Sequence, residues 1–247
     1  MVRLGNIIQN STVDWLGHVS IVYLFAGCNF RCGFCYNHKL MPLDSGTEYP
    51  DEYMKEAIDE NVTNDAVMAT GGEPTLQPKS VEYLFDCAHK AGLLTVLNTN
   101  GTNAMPIADL HEKGLLDHVA MDIKAPLHPS PYLSQIGLRL TEYLIPAAIR
   151  MTLKVIKERN IPLEIRTTSI KDTYSSGSHI YKLIDQISEF DLESYHIQQF
   201  DDTDCFDKSL KGKVVEREEL IEYARYARKK GIKNVYVITF SHGLEKI

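Results

Sequence analysis

Val19-Ser-Ile-Val-Tyr-Leu-Phe-Ala26 runs directly into Gly27-Cys28-Asn-Phe-Arg-Cys32-Gly-Phe-Cys35. The first eight residues are apolar except for one serine, and rich in β-branched and aromatic side chains. A run of this kind reads as a strand buried on both faces, as parallel sheets require. The loop behind it carries three cysteines within eight residues, at spacings of three and two. Those spacings let three thiolates converge on one centre from a single loop.

Outward from this stretch, strands and helices alternate. Helices are expected over 51–61, 79–91, 106–113, 141–159, 178–190 and 215–230. The second has apolar residues at 81, 84, 85 and 88, which is helical spacing. Strands are expected over 66–69, 93–97, 118–123, 163–170, 195–200 and 235–240, and a Pro-containing loop over 125–137. Repeated strand–helix units favour a parallel sheet with right-handed crossovers. The expectation is an α/β fold, a partial (β/α)6-type barrel of parallel strands with outer helices. It fills one domain over 1–247, with an N-terminal extension over 1–18 and the barrel over 19–240. Chemistry in such folds sits at the C-terminal ends of the strands. The loops after residues 26, 69, 97, 122, 168 and 200 then share one rim.

Composition sets the outer bounds. Of 247 residues, 44% are hydrophobic and 24% charged, which excludes a disordered, collagen-like or coiled-coil chain. A net charge of −7 argues against general nucleic-acid binding, which depends on neutralising phosphates. Five cysteines are too few for a disulfide scaffold of this size and point to a reducing compartment. The N-terminus lacks the long apolar core of a signal peptide. The longest apolar run, 21–26, is far short of the ~20 residues that span a bilayer. A cytoplasmic protein with no membrane partner is expected.

On spacing alone the cysteine loop suits two centres. An iron–sulfur cluster usually takes four cysteines, so three would leave one iron open. A Cys3His zinc site using Cys28, Cys32, Cys35 and His38 is equally sensible chemically. Cys87 and Cys205 are isolated and make poor fourth ligands.

Three further segments lie on the predicted rim. In Thr70-Gly71-Gly72-Glu73-Pro74, two glycines permit close approach to the backbone, and Glu73 can accept a charge-assisted hydrogen bond from an ammonium group. An ordinary βα turn is the bland reading. Asn98-Thr99-Asn100 ends the third strand, and Asp122 and Lys124, two apart, share one face of the fourth. Glu164, Arg166 and Thr168 share a face of the fifth, where an internal Glu164–Arg166 ion pair is the alternative to ligand binding. Asp201-Asp-Thr-Asp204 reads as a solvated loop, and His196 is a weak candidate.

The cysteine spacing, with the aromatic Phe34 before the last cysteine, is the signature of the radical S-adenosylmethionine (SAM) superfamily. Within it the chain resembles the glycyl-radical-enzyme activating enzymes, through Ser11-Thr-Val-Asp14-Trp-Leu-Gly17 and Gly27 to Asn37. It is similar to activases of pyruvate formate-lyase and of anaerobic ribonucleotide reductase, in order up to about residue 170. It departs at Trp15-Leu16-Gly17, where those families carry a Pro-Gly ending, and at Cys35-Tyr36-Asn37, where they often carry Cys-His-Asn.

The resemblance implies a 4Fe–4S cluster on Cys28, Cys32 and Cys35, with Phe34, Tyr36 and Asn37 alongside. It implies SAM held by Gly71, Gly72 and Glu73 at its amino group. Asn98, Thr99, Asn100, Asp122 and Lys124 would lie beside the ribose and a monovalent cation, and Arg166 near SAM. Asn98 stands where the pyruvate formate-lyase activase has an acid. One electron from a flavodoxin or ferredoxin-type carrier would cleave SAM to a 5′-deoxyadenosyl radical. That radical would take hydrogen from a glycine of a partner glycyl-radical enzyme, with Lys124 counted among the catalytic groups. The rival readings are a 7-carboxy-7-deazaguanine synthase, which shares the cysteine spacing and Thr-Gly-Gly-Glu-Pro, and a non-catalytic zinc-binding barrel.

Overall fold

The structure is a computed structural model and describes residues 1–60, 62–139 and 143–247. Its contacts gather these into two compact units. The first comprises Met1–Asn29, Asn37–Thr99 and Asn103–Ala120, and the second Phe30–Tyr36, Asn100–Thr102 and Met121–Ile247.

The first unit is built on β2 (Ser20–Phe25), in which every residue but Leu24 is buried. β2 pairs in parallel with β4 (Ala66–Gly71), and β4 in parallel with β5 (Leu94–Thr99). On its other side β2 pairs antiparallel with β1 (Val2–Ser11), which pairs antiparallel with β3 (Thr47–Tyr49). The order is therefore β3-β1-β2-β4-β5. Residues 1–18, expected as an extension, thus contain a ten-residue strand. The helices are α1 (Tyr53–Asp59), α2 (Pro78–Lys90) and α3 (Ala104–Glu112). α2 buries Val81, Leu84, Phe85 and Ala88, as its periodicity predicts. Trp15 and Leu24 pack against Val22, Met68, Val96 and Ala120. The Ser11–Asp14 segment closes on itself, the Ser11 hydroxyl donating to the Asp14 carboxylate.

β6 (His118–Asp122) has residues 118–120 in the first unit and 121–122 in the second. In the second unit β7 (Leu163–Ser169), β8 (Ser194–Gln199) and β9 (Val235–Thr239) pair in parallel, and β10 (Gly243–Lys246) returns antiparallel to β9. The helices are α4 (Pro129–Gln135), α5 (Ile145–Glu158), α6 (Gly177–Ile187) and α7 (Arg217–Lys229). α6 buries Ile180, Leu183, Ile184 and Ile187, an i, i+3, i+4, i+7 stripe. Each such side chain contributes about 1.5–3 kcal/mol.

The fold is a mostly parallel α/β sheet covered by helices, with antiparallel partners at β1, β3 and β10 that strict parallel pairing did not anticipate. The loop expected over 125–137 contains α4. Its prolines occupy the first turn, where a missing N–H costs no hydrogen bond. The last residue of the helix expected over 51–61 and the first two of that expected over 141–159 lie outside the described residues. No described helix is long and apolar enough to cross a membrane.

Candidate active site

In the first unit the start of the cysteine loop is fixed through its main chain. Gly27 and Cys28 donate N–H bonds to Leu40 O (2.8 Å) and Met41 O (3.0 Å). Across the end of β2, Gly72 N–H bonds Phe25 O, and Glu73 N–H bonds Gly27 O, both at 2.8 Å. A Cβ on Gly72 would stand 2.2 Å from Gly27 O, so only glycine fits there. The Gly-Gly pair thus admits the close approach of the backbone leading into Cys28.

Glu73 is fully buried. Its Oε1 accepts from Thr75 N (3.1 Å), Thr75 Oγ1 (2.6 Å) and Thr99 Oγ1 (2.7 Å), which caps the short helical turn at 74–76. Asn98 donates from Nδ2 to Thr70 Oγ1 (3.0 Å), and its Oδ1 is buried without a hydrogen-bond partner. That carbonyl is an acceptor available for a ligand N–H, a hydroxyl or a cation. Asn37, half-buried, accepts the Leu40 N–H at 2.9 Å through its main-chain oxygen.

In the second unit Cys32 is buried and Cys35 half-buried, with Cys35 N–H bonding Cys32 O at 3.1 Å. Two distant segments grip this part of the loop. Arg31 N–H bonds Ile136 O at 2.9 Å, and Asp207 N–H bonds Gly33 O at 2.7 Å. Gly137, with φ +70°, lies so close that a Cβ would sit 2.1 Å from Arg31 O. Phe34 and Leu210 pack against Ile170, Phe200 and Cys205. Tyr36 is exposed. Beside the loop opens a cleft of about 600 Å³, lined in part by Arg31, Gly33, Phe34, Tyr174, Asp172 and Asp207.

Lys124 Nζ stands 3.2 Å from Asp122 Oδ2 and 5.8 Å from the Phe34 ring centroid, a cation–π distance. Burial works against its charge, but the Asp122 carboxylate, followed by Cys32 and Tyr132, outweighs burial and holds the ammonium above its ordinary range. Lys124 therefore stays a cation at neutral pH.

Other candidates find their partners within the protein. Asn100 Oδ1 accepts from Thr102 N (3.1 Å) and Thr102 Oγ1 (2.7 Å), an Asx turn. Arg166 Nε pairs with Glu164 Oε1, and Glu164 Oε2 lies 3.4 Å from Ser194 Oγ and 3.5 Å from His196 Nε2. The internal ion pair weighed as the alternative is thus present, and it draws in His196. Asp201, Asp202 and Asp204 bond Thr203, Gly212 and Lys208 of their own loop. The Ile136–Gly137 and Asp207 anchors and the buried Tyr132 were missed. Only the spacing of buried residues in α4 could have flagged Tyr132.

The chemistry of the donors suits a thiolate-held cluster and a polar ligand. The three loop cysteines form no disulfide, a fixed cation acts on Cys32, and an acceptor on Asn98 awaits a donor. Among the described residues, no group of three or more His, Cys, Asp or Glu side chains is gathered to hold a single metal ion.

Residues 22–140 match the model of the radical SAM superfamily. The chain is 31% identical, over 98% of its own length and 98% of the relative's, to a Methanocaldococcus jannaschii protein provisionally named a glycyl-radical enzyme activating enzyme. It is 35% identical to the pyruvate formate-lyase 1-activating enzyme of Escherichia coli, over 40% of this chain and 42% of that one. A 7-carboxy-7-deazaguanine synthase of Methanothermobacter thermautotrophicus is 33% identical over 46% of this chain and 44% of that protein. The crystal structure of a radical SAM methyltransferase from Sphaerobacter thermophilus shares the fold, with a TM-score of 0.70 and 15% identity over 90% of this chain and 67% of that one. End-to-end likeness at 31% identity, on a chain that carries the three-cysteine loop, makes this protein a member of the radical SAM superfamily, of the glycyl-radical-enzyme activating type.

Proposed function

We propose that this enzyme cleaves SAM reductively and activates a partner glycyl-radical enzyme by removing a hydrogen atom from one of its glycines. The observation that carries the reading is the end-to-end likeness to an activating enzyme, where the likeness to the deazaguanine synthase covers less than half the chain. When bound, the 4Fe–4S cluster and SAM supply one-electron cleavage and hydrogen abstraction.

The chain's own residues do the holding. Cys28, Cys32 and Cys35 ligate the cluster. Asn98 Oδ1 accepts from SAM or from a cation beside it. Lys124 would keep positive charge near Cys32, and Arg166, held by Glu164, would add positive charge near SAM. Glu73, with Oε1 already engaged, steadies the loop against which the SAM amino group binds. Phe34 shields the site from water, which strengthens each of these interactions.

Reconstitution with iron and sulfide, followed by dithionite and SAM, is expected to release 5′-deoxyadenosine. Incubation with a glycyl-radical enzyme from the same organism is then expected to raise a glycine-centred EPR signal. SAM cleavage without that signal, but with conversion of a deazaguanine precursor, would contradict the activase assignment.

A further inference from the structure

Asp172 is held at φ +59°, in the left-handed region. That backbone costs an L-residue about 1–2 kcal/mol, and residues kept in it gather where a chain meets its ligands. Asn160, also left-handed, follows the end of α5, where such a residue closes a helix. Asp172 closes no helix. It lies exposed in the turn after β7, and among the described residues none bonds or pairs with its carboxylate. The turn itself is fixed: Lys171 N–H bonds Lys213 O, and Thr173 Oγ1 donates to Ile170 O, both at 2.9 Å.

Two clefts share Asp172, Thr173 and Tyr174 as a wall. One is the cleft of about 600 Å³ beside the cysteine loop, and the other, of about 510 Å³, extends over the start of α6 as far as Glu219. Either alone has the volume of a small-molecule site. A ligand that reaches from one into the other is elongated, as a polypeptide segment is.

Asp207 gives the first cleft a second carboxylate. Hydrogen bonds from the Ser209 side chain and main chain hold it below the ordinary carboxylate range, so it is ionised at neutral pH. Its Oδ2 lies 3.6 Å from where a Cβ on Gly33 would stand, which sets the charge against the cysteine loop. The cation of this cleft, Arg31, donates from Nη1 to Phe30 O at 2.7 Å. Tyr174 and the exposed Phe206 add aromatic surface. Carboxylates beside aromatic rings suit a guanidinium or ammonium group. The net charge of −7 favours the approach of a basic segment. The second cleft is mixed, with Lys171 and His179 beside Asp172 and Glu219, so the preference for a base belongs to the first.

We infer that this groove receives an extended segment of the partner polypeptide, with a basic side chain near the target glycine set at Asp207 and Asp172. The inference rests on the activase reading and adds the kind of sequence the partner presents. Asp172 and Asp207 are specificity-determining residues in this account, not catalytic ones.

Short dye-labelled peptides with a central glycine test it. They carry arginine, glutamine or glutamate at one flanking position, scanned on both sides. Anisotropy is followed on the reconstituted holoprotein with SAM and no reductant. At its best position the arginine peptide is expected to bind about fivefold more tightly than the glutamine peptide, as two exposed charge pairs allow, and the glutamate peptide more weakly still. Asp172→Asn keeps a residue type that tolerates the left-handed region, and Asp207→Asn keeps a side-chain oxygen for Ser209. In the double variant the advantage of arginine is expected to vanish, with the glutamine peptide bound as before.

Equal affinities for the three peptides, no binding of any, or an arginine advantage that survives in a double variant with native iron content would overturn the inference. A native protein that gives one of these results and still raises the glycine radical in its partner keeps the activase reading. One that raises no such radical and converts a deazaguanine precursor overturns that reading and the inference with it.

Discussion

Thr99 donates a 2.7 Å hydrogen bond from Oγ1 to Oε1 of the fully buried Glu73, tying the end of β5 to the turn after β4. The same oxygen takes two bonds from Thr75. A buried carboxylate is tolerated only with such a set of donors. Thr99→Val removes one of them and is expected to cost about 1.5–3 kcal/mol in urea denaturation of the apoprotein. Thr99→Ser should restore most of it. An unchanged midpoint in Thr99→Val would show that the bond contributes nothing net.

Lys124 carries a pH signature. Burial lowers its affinity for a proton, but Asp122, Cys32 and Tyr132 together raise it above the ordinary value of 10.5. A raised folded-state value contributes stability in full below the unfolded-state value, and the contribution is lost as pH climbs through the folded-state value. In a Cys32→Ser background, where no thiol titrates beside the lysine, the stability difference made by Lys124→Met should therefore be flat between about pH 6 and 9 and should change only above the ordinary lysine range. Denaturant titrations across that span check it. A difference that slopes near neutrality would contradict the assigned charge state.

Gly137 and Gly114 have similar φ values, +70° and +66°, and opposite surroundings. A Cβ on Gly137 would meet Arg31 O at 2.1 Å, while one on Gly114 would meet nothing within 4 Å. Gly114→Ala should cost about 1–2 kcal/mol for its left-handed backbone alone. Gly137→Ala should cost more and displace Arg31 from Ile136, and the iron bound after reconstitution should drop sharply. Equal losses of stability with full iron content in both would remove Ile136–Gly137 from the cluster loop's support.

Asn98 isolates binding from folding. Its Oδ1 has no partner to lose. Asn98→Ala gives up the Nδ2 bond to Thr70, worth about 1 kcal/mol, and should leave the protein folded. SAM binding is expected to weaken about tenfold, or ~1.4 kcal/mol. Calorimetry on the reconstituted protein measures it, and native affinity in the variant would take Asn98 out of the site.

Much of this was readable in the chain, for physical reasons that differ by element. β2 and α2 declare themselves because an apolar run and a 3.6-residue stripe each have one good burial solution. The cysteine loop is legible because ligand spacing is itself chemistry. β1 is hidden because only Val2, Leu4 and Ser11 are buried along it, so no alternation marks it. α4 is hidden behind Pro129 and Pro131, which read as loop punctuation although they begin the helix. The grips of Ile136 on Arg31 and of Asp207 on Gly33 join residues about a hundred and more positions apart, and local sequence carries no trace of them. Arg166 shows the limit from the other side. Its face on the strand was legible, but both a ligand and Glu164 satisfy a buried guanidinium, and the structure shows the second.

The central claim is that Cys28, Cys32 and Cys35 hold a cluster able to cleave SAM. The direct test is anaerobic reconstitution with iron and sulfide, then dithionite and SAM, with 5′-deoxyadenosine measured by chromatography for the native protein and Cys32→Ala. The account predicts a brown native protein that forms 5′-deoxyadenosine and a variant that forms none. A colourless native protein that binds zinc in stoichiometric amount and leaves SAM intact would contradict it.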